Sequence, residues 1–326
     1  MLGIGLKLLT WINKRRLGEH PIAVLYFHRV LDKQDPFTPD DFTKERFEQL
    51  IKTLSQHFTI LPLSQALEQK FEGKNSQTKT KKRTLCLTFD DGYLDNFTTA
   101  LPLLDKYDIK ASFFVATDGI EQGYLWSDEL EFIIKNTQKS SLSFLQKEFD
   151  LTSIENKSQA YLTLVGELKF MSNTDRDIHM TDIHKNLAME AKTPRCMMSL
   201  EQLNELQQQG HDIGAHTKTH SILAFQSDDV ALQEIKRSQG YLNKHLAKPV
   251  DLFAYPNGWL GRDFNERHQE MIRSCGFKYG VATNDGGIIT SSNPMALPRF
   301  MPYRKQLSQF CLSVAKIAGE INGTKS

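Results

Sequence analysis

Cysteine is scarce in this 326-residue chain, and its four copies, Cys86, Cys196, Cys275 and Cys311, stand far apart. No paired spacing of the kind that builds a zinc knuckle or a dithiol redox motif is present, so reduced, mostly buried thiols are expected, as in a cytosolic protein. An excess of charge is missing too. Its 40 basic and 39 acidic side chains leave a formal charge of +1, which excludes a global field that would recruit nucleic acid or an anionic membrane. Long hydrophobic runs are also lacking. The apolar N-terminus from Met1 to Ile12 is broken by Gly3, Gly5 and Lys7, and it falls short of the roughly 20 apolar residues of a membrane span. No small-residue cleavage site follows it, so no signal peptide is expected. Its basic flank, Lys14, Arg15 and Arg16, leaves two readings of residues 1–16. One is an amphipathic helix resting on a membrane interface, the other a helix packed on the outside of the domain. No internal repeat with a period of about 20 to 50 residues is visible.

What the chain does have is alternation of strand and helix patterns. Pro21 introduces the apolar run Ile22 to Phe27, which reads as a strand buried on both faces. Phe42, Phe47, Leu50, Ile51, Leu54 and Phe58 then recur at helical spacing, with Thr43 as a candidate N-cap. A short strand at 59–61 and a helix at 64–71 follow, then a polar, lysine-rich loop at 73–83. The β-prone run Thr84 to Leu87, a helix between Tyr93 and Tyr107 despite Pro102, and a strand at 111–116 complete the first half. From 117 to 198 the pattern becomes a glutamine- and serine-rich insertion with helices expected at 128–137 and 158–171. Alternation resumes with a helix at 200–209, a strand at 212–215, helices at 228–245 and 263–274, and strands at 250–254 and 277–282. An edge strand at 297–300 and a terminal helix at 306–318 end the chain. This order predicts an α/β fold, a distorted (β/α) barrel of seven or eight parallel strands with a helical insertion. Its segments are 1–20, an N-terminal segment that includes the candidate amphipathic helix; 21–116, the first part of the barrel; 117–198, the insertion; and 199–326, the rest of the barrel with its C-terminal helix.

Two clusters could carry chemistry. Thr88-Phe89-Asp90-Asp91-Gly92 puts adjacent carboxylates at a strand's end. Neighbouring acids repel, so at least one needs a cation or a proton, unless the stretch is an ordinary solvated turn. His216-Thr217-Lys218-Thr219-His220 follows the strand Ile213 to Ala215, and a spacing of four puts both imidazoles on one side of a helical turn. Parallel α/β folds gather the C-termini of their strands on one face. Two imidazoles and one carboxylate make the three-ligand set of a catalytic zinc, and the second carboxylate is then available to accept a proton from water.

Thr88 to Gly92 resembles the first motif of the polysaccharide deacetylases of the NodB-homology family, carbohydrate esterase family 4, and His216 to His220 resembles the second. Gly210 to Thr217 and Phe253 to Gly258 are similar as well, so the resemblance runs from about Ile22 to Phe300 apart from the insertion. It implies that Asp91, His216 and His220 bind a divalent metal, commonly zinc, and that Asp90 is the catalytic base. The implied reaction removes an N-acetyl group from an amino sugar and releases acetate. The metal and a backbone N–H near Asn257 would polarise the acetyl oxygen, with Tyr255 beside it.

Two departures stand out. The family's third motif places an arginine two residues before its proline and an aromatic after it, whereas Ala254 and Asn257 flank Tyr255-Pro256 here. Arg299 could substitute, or could be a surface residue. The C-terminal leucine-any-histidine motif that supplies the general acid is absent after Phe300. His28, at the end of the first strand, would reach the same rim if that strand replaces the family's last one; otherwise it is a histidine satisfied by a backbone carbonyl. The opening Tyr26-Phe27-His28-Arg29 looks like that of deacetylases acting on exopolysaccharide or lipid-linked glycans. Trp126 and Trp259 could each stack on a sugar or serve as cap packing. The expected substrate is therefore a glycan containing N-acetylhexosamine, in the cytoplasm or at its membrane face. Hydrolysis of a non-sugar amide and a non-catalytic glycan-binding barrel are the alternatives.

Overall fold

The computed structural model describes residues 2–73, 83–188, 192–301 and 306–320; most of the lysine-rich loop expected at 73–83 lies outside them. Seven parallel strands form the main sheet: β1 (Ala23–Phe27), β2 (Phe58–Ile60), β3 (Arg83–Phe89), β4 (Ser112–Val115), β5 (Asp212–Ala215), β6 (Leu252–Ala254) and β7 (Tyr279–Val281). Their order is β1-β3-β4-β5-β6-β7, with β2 paired to the beginning of β3. Leu85 to Phe89 and all of β4 are buried, as parallel strands covered on both faces require.

Segment 297–300 is not an edge strand. Leu297 bridges in parallel to Val281 on β7, and Phe300 bridges in parallel to Leu25 on β1. The Ala282 N–H donates to Leu297 at 2.8 Å, and the Phe300 N–H donates to Val24 at 3.0 Å. The two ends of the curled sheet are thereby joined, and closure satisfies edge groups that would otherwise stay open.

Around the sheet run α1 (Leu2–Leu17), α2 (Lys44–His57), α3 (Leu63–Phe71), α4 (Leu101–Lys106), α5 (Thr117–Gln122), α6 (Trp126–Asn136), α7 (Ile154–Leu168), α8 (Asn173–Leu187), α9 (Leu200–Gln208), α10 (Asp228–His245), α11 (Glu266–Ser274) and α12 (Leu307–Ile317). Helix α2 buries Phe47, Leu50, Ile51 and Leu54, and Thr43 Oγ1 accepts the Arg46 N–H at its start. Pro102 falls in the first turn of α4, where a missing N–H leaves no bond broken, and a π-helical turn at Asn96–Ala100 precedes it.

The insertion holds α5 to α8 and a hairpin, Ser141–Phe144 against Lys147–Asp150. It has a core of its own, including Leu130, Ile134, Leu164 and Ile183. The hairpin was not expected. Its turn residues, Leu145 and Gln146, take φ of 47° and 63° without the glycine or asparagine that usually marks such a turn.

Helix α1 packs on the outside of the barrel, where Asn13 Nδ2 donates to the Ala315 carbonyl of α12 at 2.8 Å. Its other face leaves Ile4, Leu8 and Trp11 exposed. Among the described residues no helix is long and apolar enough to cross a membrane.

Candidate active site

Strand β3 delivers the acidic pair. Phe89 anchors it, its ring stacked 5.0 Å from that of Phe113, and the Asp90 N–H extends the ladder to Phe27 O at 2.8 Å. The chain then turns left-handed, with φ of 73° at Asp91 and 97° at Gly92. A Cβ at residue 92 would meet Val115 Cγ1 at 3.0 Å, so glycine serves both the turn and the close approach.

Asp90 is gripped by Arg299, whose Nη1 and Nη2 donate to its two oxygens at 2.7 and 2.9 Å. Arg299 is 0% exposed, which removes the surface reading, and its Nη1 also donates to Thr88 Oγ1 at 3.0 Å. Burial pushes the Asp90 carboxyl up, but the fork-to-fork guanidinium outweighs it and holds the group below the usual carboxylate range. Asp90 is therefore an ionised, oriented carboxylate.

Asp91 points elsewhere. Its Oδ1 lies 3.1 Å from His220 Nε2 and 3.5 Å from His216 Nε2, and the three ligand atoms fall within 4.8 Å of one another. That oxygen is buried without a hydrogen-bond partner among the described residues. The His216 ring is fixed from behind by a 2.8 Å contact between Nδ1 and the Ala254 carbonyl. A carbonyl can only accept, so Nδ1 carries the proton and the Nε2 lone pair faces inward. Burial drives the His216 pKa down to about 4, which keeps the ring neutral. For His220 burial works in the same direction, but the neighbouring Asp91 carboxylate outweighs it and the net shift is upward. An orphaned carboxylate oxygen facing two imidazole nitrogens fits a divalent cation with coordination positions to spare.

The helical turn expected at 216–220 is not formed. Thr217 and His220 adopt φ of 63° and 57°, and the segment is a loop. Such backbone needs support, which comes from Glu234 on α10, 5% exposed. Its carboxylate accepts the Lys218 and Thr219 N–H groups at 2.9 and 2.8 Å, Thr219 Oγ1 at 3.0 Å and Asn173 Nδ2 at 3.1 Å. Sequence reasoning missed Glu234, although a signal existed. It is an acid on the buried stripe Ala231, Glu234, Ile235, Ser238 and Leu242.

His28 stands exposed at the end of β1. Its backbone oxygen accepts Asn96 Nδ2 at 2.8 Å, while its ring has no hydrogen-bond partner among the described residues.

The third loop divides the expectations. Tyr255 does not offer its side chain to a substrate. The ring is 1% exposed and stacks 3.6 Å from Phe264, and the hydroxyl donates to Met295 O at 2.9 Å. Asn257, at φ 60°, has its side chain tied to Asp263 at 2.6 Å and Lys169 at 3.2 Å. Its backbone N–H has no acceptor among the described residues. Asp263, 1% exposed and also missed, shapes this loop by accepting the Trp259 N–H at 2.8 Å as well. Trp259 is 37% exposed. Trp126, at the start of α6, lies under the Arg176 guanidinium at 4.9 Å.

Comparison with known proteins bears on all of this. A family model described as polysaccharide deacetylase matches residues 77–280. A poly-beta-1,6-N-acetyl-D-glucosamine N-deacetylase of Staphylococcus aureus is 23% identical over 260 residues, 79% of this chain and 67% of that protein. The Staphylococcus epidermidis protein of the same description is 22% identical over 305 residues, 89% and 81% of the two chains. Among solved structures, the Streptococcus pyogenes deacetylase PplD in complex with acetate superposes with a TM-score of 0.60 at 21% identity, covering 90% of this chain and 98% of its own. IcaB from Ammonifex degensii gives 0.58 at 18% identity, with 93% and 98% covered. At these identities the structural likeness concerns the fold.

Proposed function

Because the chain belongs to the polysaccharide deacetylase family, hydrolases of carbon–nitrogen bonds other than peptide bonds, we propose that it removes the acetyl group from N-acetylglucosamine units of a glycan. The observation that carries this is the division of one acidic pair between Arg299 and the two histidines. Asp91, His216 and His220 would hold the ion, zinc by the chemistry of the donor set. When bound, it supplies Lewis-acid polarisation of the acetyl oxygen and acidifies water. Asp90, kept ionised by Arg299, accepts the proton of the attacking water. The Asn257 N–H, which has no acceptor among the described residues, would donate to the acyl oxygen as negative charge develops there. His28, solvent-facing and with its ring edge-on to Tyr26, would give a proton to the departing amine.

The substrate in the relatives' descriptions, a β-1,6-linked N-acetylglucosamine polymer, is the glycan this reading favours. The test is acetate release from β-1,6-linked oligomers. Activity should be lost on chelation and restored by zinc, and acetate release that survives chelation overturns the reading.

The exposed Ile4, Leu8 and Trp11 of α1, together with Lys7, Lys14, Arg15 and Arg16 and no acid in the helix, support contact with an anionic membrane surface. Co-sedimentation with phosphatidylglycerol vesicles should weaken in Trp11→Ala. Equal recovery with neutral vesicles speaks against the contact.

A further inference from the structure

Beside the loop that carries His220 lies a cavity of about 250 Å3, walled by the insertion on one side and by Thr219 on the other. Gln122, Tyr124, Trp126, Asn173 and Arg176 line it. Asn173 and Arg176 stand three residues apart in the first turn of α8 and so share a face. Asn173 donates to Thr219 Oγ1 at 3.3 Å and to Glu234 Oε1 at 3.1 Å, which bonds the cavity wall to the loop bearing His220.

Arg176 is the unexplained member. It is 3% exposed, yet its Nε is buried with no hydrogen-bond partner among the described residues, and its guanidinium lies over the Trp126 ring at 4.9 Å. A buried cation with no acceptor is costly unless something else supplies one. Of the three acids on the lining, Asp118 is held by Lys218 at 2.8 Å and Glu129 by His184 at 3.1 Å; Asp177 and Asp118, with Glu234 behind them, attract Arg176 through space, but none makes a hydrogen bond or ion pair with it among the described residues. Planar donors and acceptors set beside aromatic faces suit a pyranose ring, whose hydroxyls pair with guanidinium and amide groups while its C–H faces pack on rings.

We propose that this cavity is a second sugar subsite, holding the unit next to the one that loses its acetyl group, with Arg176 as the specificity-determining donor to that unit's oxygens. The proposal rests on the deacetylase reading above. A reacting sugar over Asp91, His216 and His220 has Thr219 as its neighbour, and Thr219 is also part of the cavity wall.

The zinc-loaded full chain and its Arg176→Met variant decide the matter. Methionine keeps an unbranched apolar stem on Trp126 and removes the donors. With a β-1,6-linked N-acetylglucosamine tetramer, the variant should show a KM and a calorimetric Kd raised about tenfold, with kcat within about twofold. The ratio of kcat/KM for tetramer over monosaccharide should fall by the same factor. Tyr124→Ala, at a half-buried position on the same lining, is measured alongside, since loss of the buried Arg176 side chain could unfold the insertion. Unchanged tetramer Kd and KM in whichever variant retains wild-type metal content and melting temperature overturns the subsite. Failure of the underlying reaction looks different: the wild type releases no acetate, while the calorimetric arm still reports whether Arg176 binds the tetramer.

Discussion

Asp90 and Asp91 share a peptide bond but not an environment. The left-handed turn at Asp91 sends one carboxylate back toward Arg299 and the other toward two imidazoles. Their replacement should therefore fail in different ways. Asp90→Asn should keep zinc and lose on the order of 10²–10⁴-fold in kcat, whereas Asp91→Asn should lose zinc affinity first, as equilibrium dialysis would show. Retained zinc with full turnover in Asp90→Asn would remove it as base.

Arg299 matters for stability as well. Arg299→Leu leaves Asp90 buried and unpaired, a loss of about 3–5 kcal/mol by denaturant titration. The Asp90 pKa is lowered on folding, so its contribution is present above the unfolded value of about 3.9 and is lost as pH falls through the folded one. In the leucine variant that acid-side loss of stability should be weaker. A variant as stable and as acid-sensitive as wild type would contradict the pairing.

At the scale of elements, the 216–220 loop shows how a motif can be read correctly and its backbone wrongly. Spacing of four suggested a helical turn, but two left-handed residues bring the rings together, with centroids 4.9 Å apart. Nothing local to the motif reports the clamp. Glu234 arrives from α10, and its four donors come from the loop and from α8. Glu234→Gln keeps the shape but replaces one acceptor oxygen with a donor, and should weaken zinc binding about 10–100-fold by calorimetry. Wild-type affinity in a folded Glu234→Gln protein would leave the clamp without a role in metal binding.

Over the whole molecule, the barrel seam decides whether the site exists. Segment 297–300 joins β7 to β1 and carries Arg299 to Asp90 in the same step. Phe300, 0% exposed and next to that arginine in the chain, is buried in the main core. Phe300→Ala should cost about 3–5 kcal/mol, and it should lower kcat as the seam loosens around Arg299. A drop in the denaturation midpoint with unchanged kcat would separate closure from catalysis.

Much was legible without coordinates. The strand and helix order, the parallel sheet, the Asp90-Asp91 and His216-His220 clusters and the family all follow from local patterning, because burial period, capping and short motifs are written in consecutive residues. The choice between the two readings of Arg299, the hairpin at 141–150, the orientation of Tyr255 and the support from Glu234 and Asp263 were not. Each depends on a partner far along the chain, as with Arg299 and Asp90, which are 209 residues apart, or on a backbone dihedral that its residue type does not announce. The sequence by itself determined which side chains could do the chemistry. Only the closed barrel decided which of them meet, because pairing distant residues takes the loop closure and core packing of the whole chain.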